Sequence, residues 1–266
     1  MAQLLDYPLP VIFAVSMVAF VGATEIGHRL GLRQETQGNV TTLEASMLGL
    51  LALMLGFTFS MALTRFDARR DALLSEANSI GTAALRARLL PTPHDSESLK
   101  LFRDYVQVRL DLFSRRPILD SDIQNAIVRS NEIQNALWLQ AKTIAAKNDA
   151  MVPTGLFIQA LNETFDNQEK RLTALRNRVP EVVFFALYGI ACAVMGFAGF
   201  ASGVDKRSWR LPIYLSSFLV ASVILLIEDL DRPVAGLVVV NQQPLIDVAN
   251  AIASGEAGKP KLENSR

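Results

Sequence analysis

The 266-residue sequence predicts an all-α membrane protein with four transmembrane helices and a cytoplasmic helical bundle, the second transmembrane helix being extended into the bundle. Three observations carry that prediction. Ala45–Thr64 has no charge and no proline; as a helix rising about 1.5 Å per residue it spans the roughly 30 Å of a bilayer's hydrocarbon core. Three more stretches, Leu9–Ile26, Val182–Val204 and the shorter Pro212–Ile227, are also predominantly apolar. Between Arg65 and Arg178 apolar residues recur at three- and four-residue spacing, and no alternating strand pattern occurs.

Taken in order, Leu9–Ile26 reads as a retained helix with Pro10 in its first turn. Residues 1–8 hold no lysine or arginine, and Glu25 and His28-Arg29 stand where a cleaved leader needs small residues. Glu25 and Arg29 lie one turn apart and are expected to pair at the interface, at little energetic value. The loop Leu30–Thr42 turns at Gly38-Asn39. A single helix then runs from Leu43 to Leu90 and stops at Pro91 and Pro93, because proline disfavours helix in the residue before it. Its membrane half carries small residues every fourth position: Ala52, Gly56, Ser60 and Thr64. Such a row admits a close helix, either a neighbour in the same chain or a copy at an oligomer axis. Its polar half keeps the stripe Phe66, Leu73, Ala77, Ile80, Ala84.

A helix over Ser96–Arg116 follows from Leu99, Phe102, Val106, Leu110 and Phe113, closed by Pro117. The next starts at an Asp120 or Ser121 cap and ends near Asn148; its stripe is Ile123, Ile127, Ile133, Leu137, Ala141 and Ile144, with Trp138 alongside. Thr154–Arg178 presents Phe157, Leu161, Phe165, Leu172 and Leu175. These stripes predict an antiparallel bundle with an apolar core. Pro180 marks the return to the membrane. The third span is rich in small residues (Gly189, Ala193, Gly196, Gly199, Gly203), the last two glycines being spaced for close helix contact. Trp209 and Tyr214 suit interfacial positions flanking the fourth span. Pro244 opens a short amphipathic helix, Leu245–Ile252, and the Gly-, Lys- and Glu-rich end from Ser254 reads as disordered. The expected domains are 1–64, a first transmembrane pair; 65–180, the bundle; 181–228, a second pair; and 229–266, a membrane-proximal tail. Eight basic residues flank the spans on the bundle side against five on the other (Arg29, Arg33, Lys206, Arg207, Arg210), which predicts a cytoplasmic bundle with both termini cytoplasmic.

Zero net charge leaves no basic surface for nucleic acid. The sequence has no phosphate loop, nucleophile elbow, zincin helix or Cys/His pairing at catalytic spacing, so no enzyme is expected. Cys192 sits in an apolar run and reads as a small buried hydrophobe; His28 and His94 stand apart without metal-ligand spacing.

Leu55-Gly56-Phe57 followed at fixed spacing by Thr64-Arg65-Phe66 resembles the second transmembrane helix of bestrophins. The stretch through Glu76-Ala77-Asn78 and Gly81-Thr82-Ala83, with Leu230-Asp231-Arg232-Pro233, Gly236 and Gln242-Gln243-Pro244, resembles a bacterial bestrophin-like family more closely. The resemblance implies a homo-oligomer, a pentamer in bestrophins, in the bacterial inner membrane, conducting anions such as chloride along its second helix. Phe57 stands at a neck phenylalanine; Leu53 and Gly49 stand at two further neck positions, where leucine and glycine depart from the family's bulkier residues. A glycine ring is wider, which puts gating at this neck in question. Ser46, Ser60 and Thr64 are the remaining pore-lining candidates, and Arg65, Arg69 and Arg70 would ring the cytoplasmic exit, partly cancelled by Asp67 and Asp71. Bestrophins also bind calcium with acidic residues after the last span. Glu228, Asp229 and Asp231 have a comparable place but form a weak cage, since calcium takes six or more oxygens and these are interrupted by Leu230 and followed by Arg232. The alternative for the carboxylates is ion pairing or a turn that docks the tail. The alternative for the whole chain is a non-conducting membrane scaffold or sensor subunit acting through a partner protein.

Overall fold

The computed structural model describes residues 7–34, 40–114, 120–147, 151–205, 210–234 and 236–257. Among these, every regular element is an α-helix: α1 Leu9–Gly31, α2 Val40–Ala87, α3 His94–Ser114, α4 Asp120–Ala146, α5 Met151–Arg176, α6 Glu181–Val204, α7 Leu211–Asp231 and α8 Gln243–Ala257. Four stretches are long and apolar enough to cross a membrane: Leu9–Gly31, Thr42–Ala87, Met151–Val204 and Leu211–Asp231. The protein is therefore an all-α membrane protein whose second spanning helix continues unbroken well beyond the apolar segment. The expected turn at Gly38-Asn39, the loop around Trp209, Pro117, and the chain after Ala257 lie outside the described residues. α8 covers Ser254, so the tail keeps its helix past the point where composition suggested it would stop.

The chain divides into two compact units. The first comprises residues 1–66 and 177–238, with α1, the apolar half of α2, α6 and α7. Its core holds Phe20, Leu51, Ala62, Phe184, Leu187, Ala191, Met195, Ala221, Ile224 and Ile227. The α1–α6 contact is made by backbone. A Cβ on Gly27 would stand 1.8 Å from the Gly196 carbonyl oxygen, one on Gly31 2.2 Å from that of Phe200, one on Gly199 2.1 Å from that of Thr24, and one on Gly203 2.3 Å from that of His28. Contact residues rise in number together along both helices, so α1 and α6 run parallel. Gly199 and Gly203 thus do serve a close approach. Their partners, Gly27 and Gly31, repeat the same four-residue spacing on α1, a signal the sequence offers but only pairing makes meaningful. Thr24 closes the seam by hydrogen bonds to the carbonyls of Phe20 (2.8 Å) and Met195 (3.4 Å). Glu25 does not turn to Arg29. Its carboxylate accepts from Arg210 Nη1 (3.1 Å) and from the Tyr214 hydroxyl, tying α1 to the start of α7.

The second unit comprises residues 67–176 and 239–266, with the polar half of α2, α3, α4, α5 and α8. The predicted stripes meet in one core: Leu73, Ala77, Ile80 and Ala84 of α2; Leu99, Phe102 and Val106 of α3; Ile133, Leu137, Ala141 and Ile144 of α4; Phe157 and Leu161 of α5. Each such large side chain contributes about 1.5–3 kcal/mol by leaving water. α8 adds Leu245 and Ile252 to the same core. Phe102 and Phe157 meet edge to face at 6.3 Å. Trp138 is 42% exposed and lies at the rim, its ring 6.5 Å from that of Phe165.

Candidate functional site

The apolar half of α2 buries one face and leaves the other bare. Leu51, Thr58 and Ala62 are buried in the first unit. At about 100° per residue, Ser46, Gly49, Leu53, Phe57, Ser60 and Thr64 lie within one narrow sector on roughly the opposite side. All six are exposed, with Leu53 at 53% and Phe57 at 64%. A Cβ on Gly49 or Gly56 would meet nothing within 4 Å. The row Ala52, Gly56, Ser60 and Thr64 is likewise exposed. It does not pack against a neighbour in the same chain, so that expectation fails; the intrachain glycine seam belongs to α1 and α6. The hydroxyls on the bare face are kept from competing with the helix: Ser46 donates to the Thr42 carbonyl (2.9 Å) and Thr64 to that of Ser60 (2.9 Å).

The three arginines do not share that face. Arg65 is half-buried and donates to the Asn177 side-chain oxygen. Arg69 is 3% exposed, and only Arg70 stands in the open. Asp67 and Asp71, by contrast, are both exposed and follow Thr64 at the third and seventh residue.

Glu228, Asp229 and Asp231 are buried, and α7 extends through all three, a turn beyond the predicted end at Ile227. Burial is tolerable because the carboxylates meet donors. Asp231 accepts from the backbone N–H of Val179 with both oxygens (2.9 and 3.1 Å), at the entry to α6. Asp229 accepts from the N–H groups of Leu237 (2.8 Å) and Val238 (2.9 Å). Glu228 Oε1 accepts from the Tyr188 hydroxyl (2.9 Å), which in turn lies 3.1 Å from Ser16 Oγ. The three side chains thus turn in three directions, and Glu228 Oε2 is buried without a hydrogen-bond partner among the described residues. Among the described residues no group of three or more His, Cys, Asp or Glu side chains is placed to hold a metal ion. Gly236 is required here: its φ of +139° is open to glycine, and a Cβ would stand 2.2 Å from Asp229 Oδ1. Arg232 donates to the Tyr7 carbonyl (2.6 Å). The turn therefore binds the end of α7 to the entry of α6 and to the chain before α1.

A model of the Bestrophin-like domain matches residues 10–245. The chain belongs to the bestrophin-like family. Among solved structures, this bestrophin-like chain is similar to a single-substitution form of a bacterial bestrophin homologue from Klebsiella pneumoniae. The TM-score is 0.65 at 17% identity, over 92% of this chain and 96% of that one. A second substituted form of that homologue gives 0.64 at 17% identity, over 94% and 99%. A crystal structure described as that of a membrane protein gives 0.65 at 18% identity, over 96% and 99%. At such identities the likeness is one of fold. No curated protein matches the sequence.

Sequence reasoning missed one buried cluster in the second unit. Glu76 is 0% exposed and sits between two buried guanidiniums, with Arg171 Nη1 at 2.5 Å and Arg109 Nε at 3.3 Å. The signal was present: Glu76 falls three residues after Leu73 on the apolar stripe of α2, where a lone charge requires a partner.

Proposed function

We propose that the chain is the subunit of an oligomeric ion channel whose pathway is lined by the bare face of α2. One observation carries this reading. A helix long enough to span the membrane presents Ser46, Gly49, Leu53, Phe57, Ser60 and Thr64 on a face left exposed among the described residues. Copies arranged around an axis, five in the bestrophin resemblance, would turn that face into a pore with a narrow apolar neck at Leu53 and Phe57. Apolar rings of this kind gate by dewetting, and charges beyond them select ions. In this reading the bundle and both termini are cytoplasmic, as the basic residues flanking the spans favour.

The exposed charges within two turns beyond Thr64 are Asp67, Arg70 and Asp71, an acidic surplus. We therefore propose cations rather than anions as the preferred ion, against the anion preference that the bestrophin resemblance implied. Calcium is not called on in this reading, since Asp229 and Asp231 accept from backbone N–H groups and point apart from Glu228. Replacing both Asp67 and Asp71 by asparagine is expected to shift the reversal potential of reconstituted channels toward the anion equilibrium value. An unchanged reversal potential removes these residues from selectivity.

Phe57→Ala tests the neck. Phe57 is 64% exposed in the subunit, so its truncation is expected to cost well under the 3–5 kcal/mol typical of a buried phenylalanine. The assembled particle should survive and its flux in liposomes should rise. Intact particles with wild-type flux would remove Phe57 from the pathway. A particle of two copies, or one with a filled axis, favours the scaffold reading, in which the same face is a packing surface.

A further inference from the structure

Glu76 pairs with two guanidiniums in a buried cluster. Arg109 and Arg171 are 3% and 5% exposed, and Tyr105, 1% exposed, donates to Glu76 Oε1 at 3.1 Å. Burial pushes the Tyr105 phenol up, so it contributes no charge. The guanidiniums are further held over aromatic rings, Arg109 over Tyr105 at 5.1 Å and Arg171 over Phe113 at 5.0 Å. Arg171 is shared. Its Nη1 meets Glu76 of α2, while its Nη2 donates to Gln242 Oε1 at 3.0 Å, in the segment leading into α8. The other end of the Gln242 amide donates to the Val240 carbonyl (2.9 Å), which aims the oxygen at Arg171.

The segment that Gln242 opens reaches α2 once more and the residue that follows α2 once. Val248 lies 3.8 Å from where a Cβ on Gly81 would stand, and Arg88 donates to the Ala251 carbonyl at 3.1 Å. Leu245 and Ile252 anchor it in the core at 0% and 1% exposure. Residues 240–252 thus pack chiefly on α3, touch α2 at Gly81, reach Glu76 through Arg171, and meet Arg88 just past the end of α2. Val240, Val248 and Ala249 pack against the same core, so the segment is held along its length and opens, where it opens, as one unit.

We propose that residues 240–252 form a releasable strap whose docking is transmitted to α2 through the Glu76–Arg171–Gln242 clasp. The inference rests on the reading that α2 lines the pathway only in giving that transmission a purpose: a docked strap fixes α2, and a released strap frees it. The clasp has two guanidiniums to one carboxylate, so it can be tightened as well as broken. Gln242→Glu supplies a second counter-charge to Arg171, the charge-assisted bond outweighing the lost donation to the Val240 carbonyl. Gln242→Leu removes the acceptor while keeping comparable bulk.

The test is hydrogen exchange on the full-length protein in detergent, read at the amides of residues 245–252 and, separately, of residues 73–81. Gln242→Glu is expected to slow exchange in both segments, and Gln242→Leu to speed it in both, by about tenfold or more, the scale of a buried hydrogen bond to a charged group. Tandem movement of the two segments supports the clasp. A change confined to 245–252, or none in either segment, overturns it. Exchange does not depend on conduction, so a wild-type protein that passes no ions would bear on the pore reading and leave this outcome intact.

Discussion

Glu76→Gln is expected to be the most destabilising single-atom change in the second unit, at about 3–5 kcal/mol, the range for breaking a buried ion pair by removing one partner. The glutamine keeps the shape but leaves Arg109 and Arg171, both almost fully buried, without the carboxylate they share. The cost comes from two stranded charges in a low-dielectric core, not from the lost hydrogen bonds. A companion variant separates this account from simple mispacking. Replacing Glu76, Arg109 and Arg171 together by leucine, leucine and methionine removes all three charges and is expected to recover most of the loss, because apolar replacement of a whole buried ionic cluster is often neutral or better. Thermal unfolding of the detergent-solubilised protein measures both. A Glu76→Gln midpoint within about a degree of wild type would mean that water or other side chains already compensate the guanidiniums.

The sequence disclosed most of the architecture because the strongest signals in it are long and redundant. α2 was legible from end to end: a charge-free membrane length, then Leu73, Ala77, Ile80 and Ala84 at helical spacing, then Pro91. The boundaries that moved did so where tertiary contacts override local character. α7 continues through Glu228, Asp229 and Asp231 because each carboxylate finds a donor that local sequence cannot reveal: the Tyr188 hydroxyl, the Leu237 and Val238 amides, the Val179 amide. As a charge pattern those residues read as a weak calcium cage, an ion pair or a docking turn; their contacts are those of a docking turn. The candidate neck could be placed on one helical face from spacing alone, but its exposure could not. The directions of Arg65 and Arg69, half-buried and buried in the subunit, were hidden for the same reason, since a run of arginines states charge and not direction. Glu76 was hidden in the opposite way, as one polar letter in an apolar stripe whose partners lie 33 and 95 residues further along.

The first unit has its own sharp test in Gly27→Ala. In lipid there is no hydrophobic drive between helices, so association depends on packing and on how closely the backbones approach. The Gly27 Cβ would stand 1.8 Å from the Gly196 carbonyl oxygen and 3.0 Å from the Phe200 amide nitrogen, both backbone atoms that no rotamer change can remove. α1 and α6 must then separate by more than an ångström, and the separation also loosens Gly31 against Phe200, Gly199 against Thr24 and the Thr24 bond to Met195. Overpacking of this kind costs about 1–3 kcal/mol and occasionally more. The upper end is expected here, seen as a fall in monodisperse yield and in the melting temperature. Gly22→Ala is the control on the same helix. Nothing lies within 4 Å of its Cβ position, and alanine is favoured over glycine in a helix by up to about 1 kcal/mol, so it should be neutral or stabilising. The same substitution five residues apart should therefore act with opposite sign. If both variants lower the melting temperature equally, helix propensity and backbone contact are not what distinguishes the two sites, and the glycine seam does not hold the first unit together.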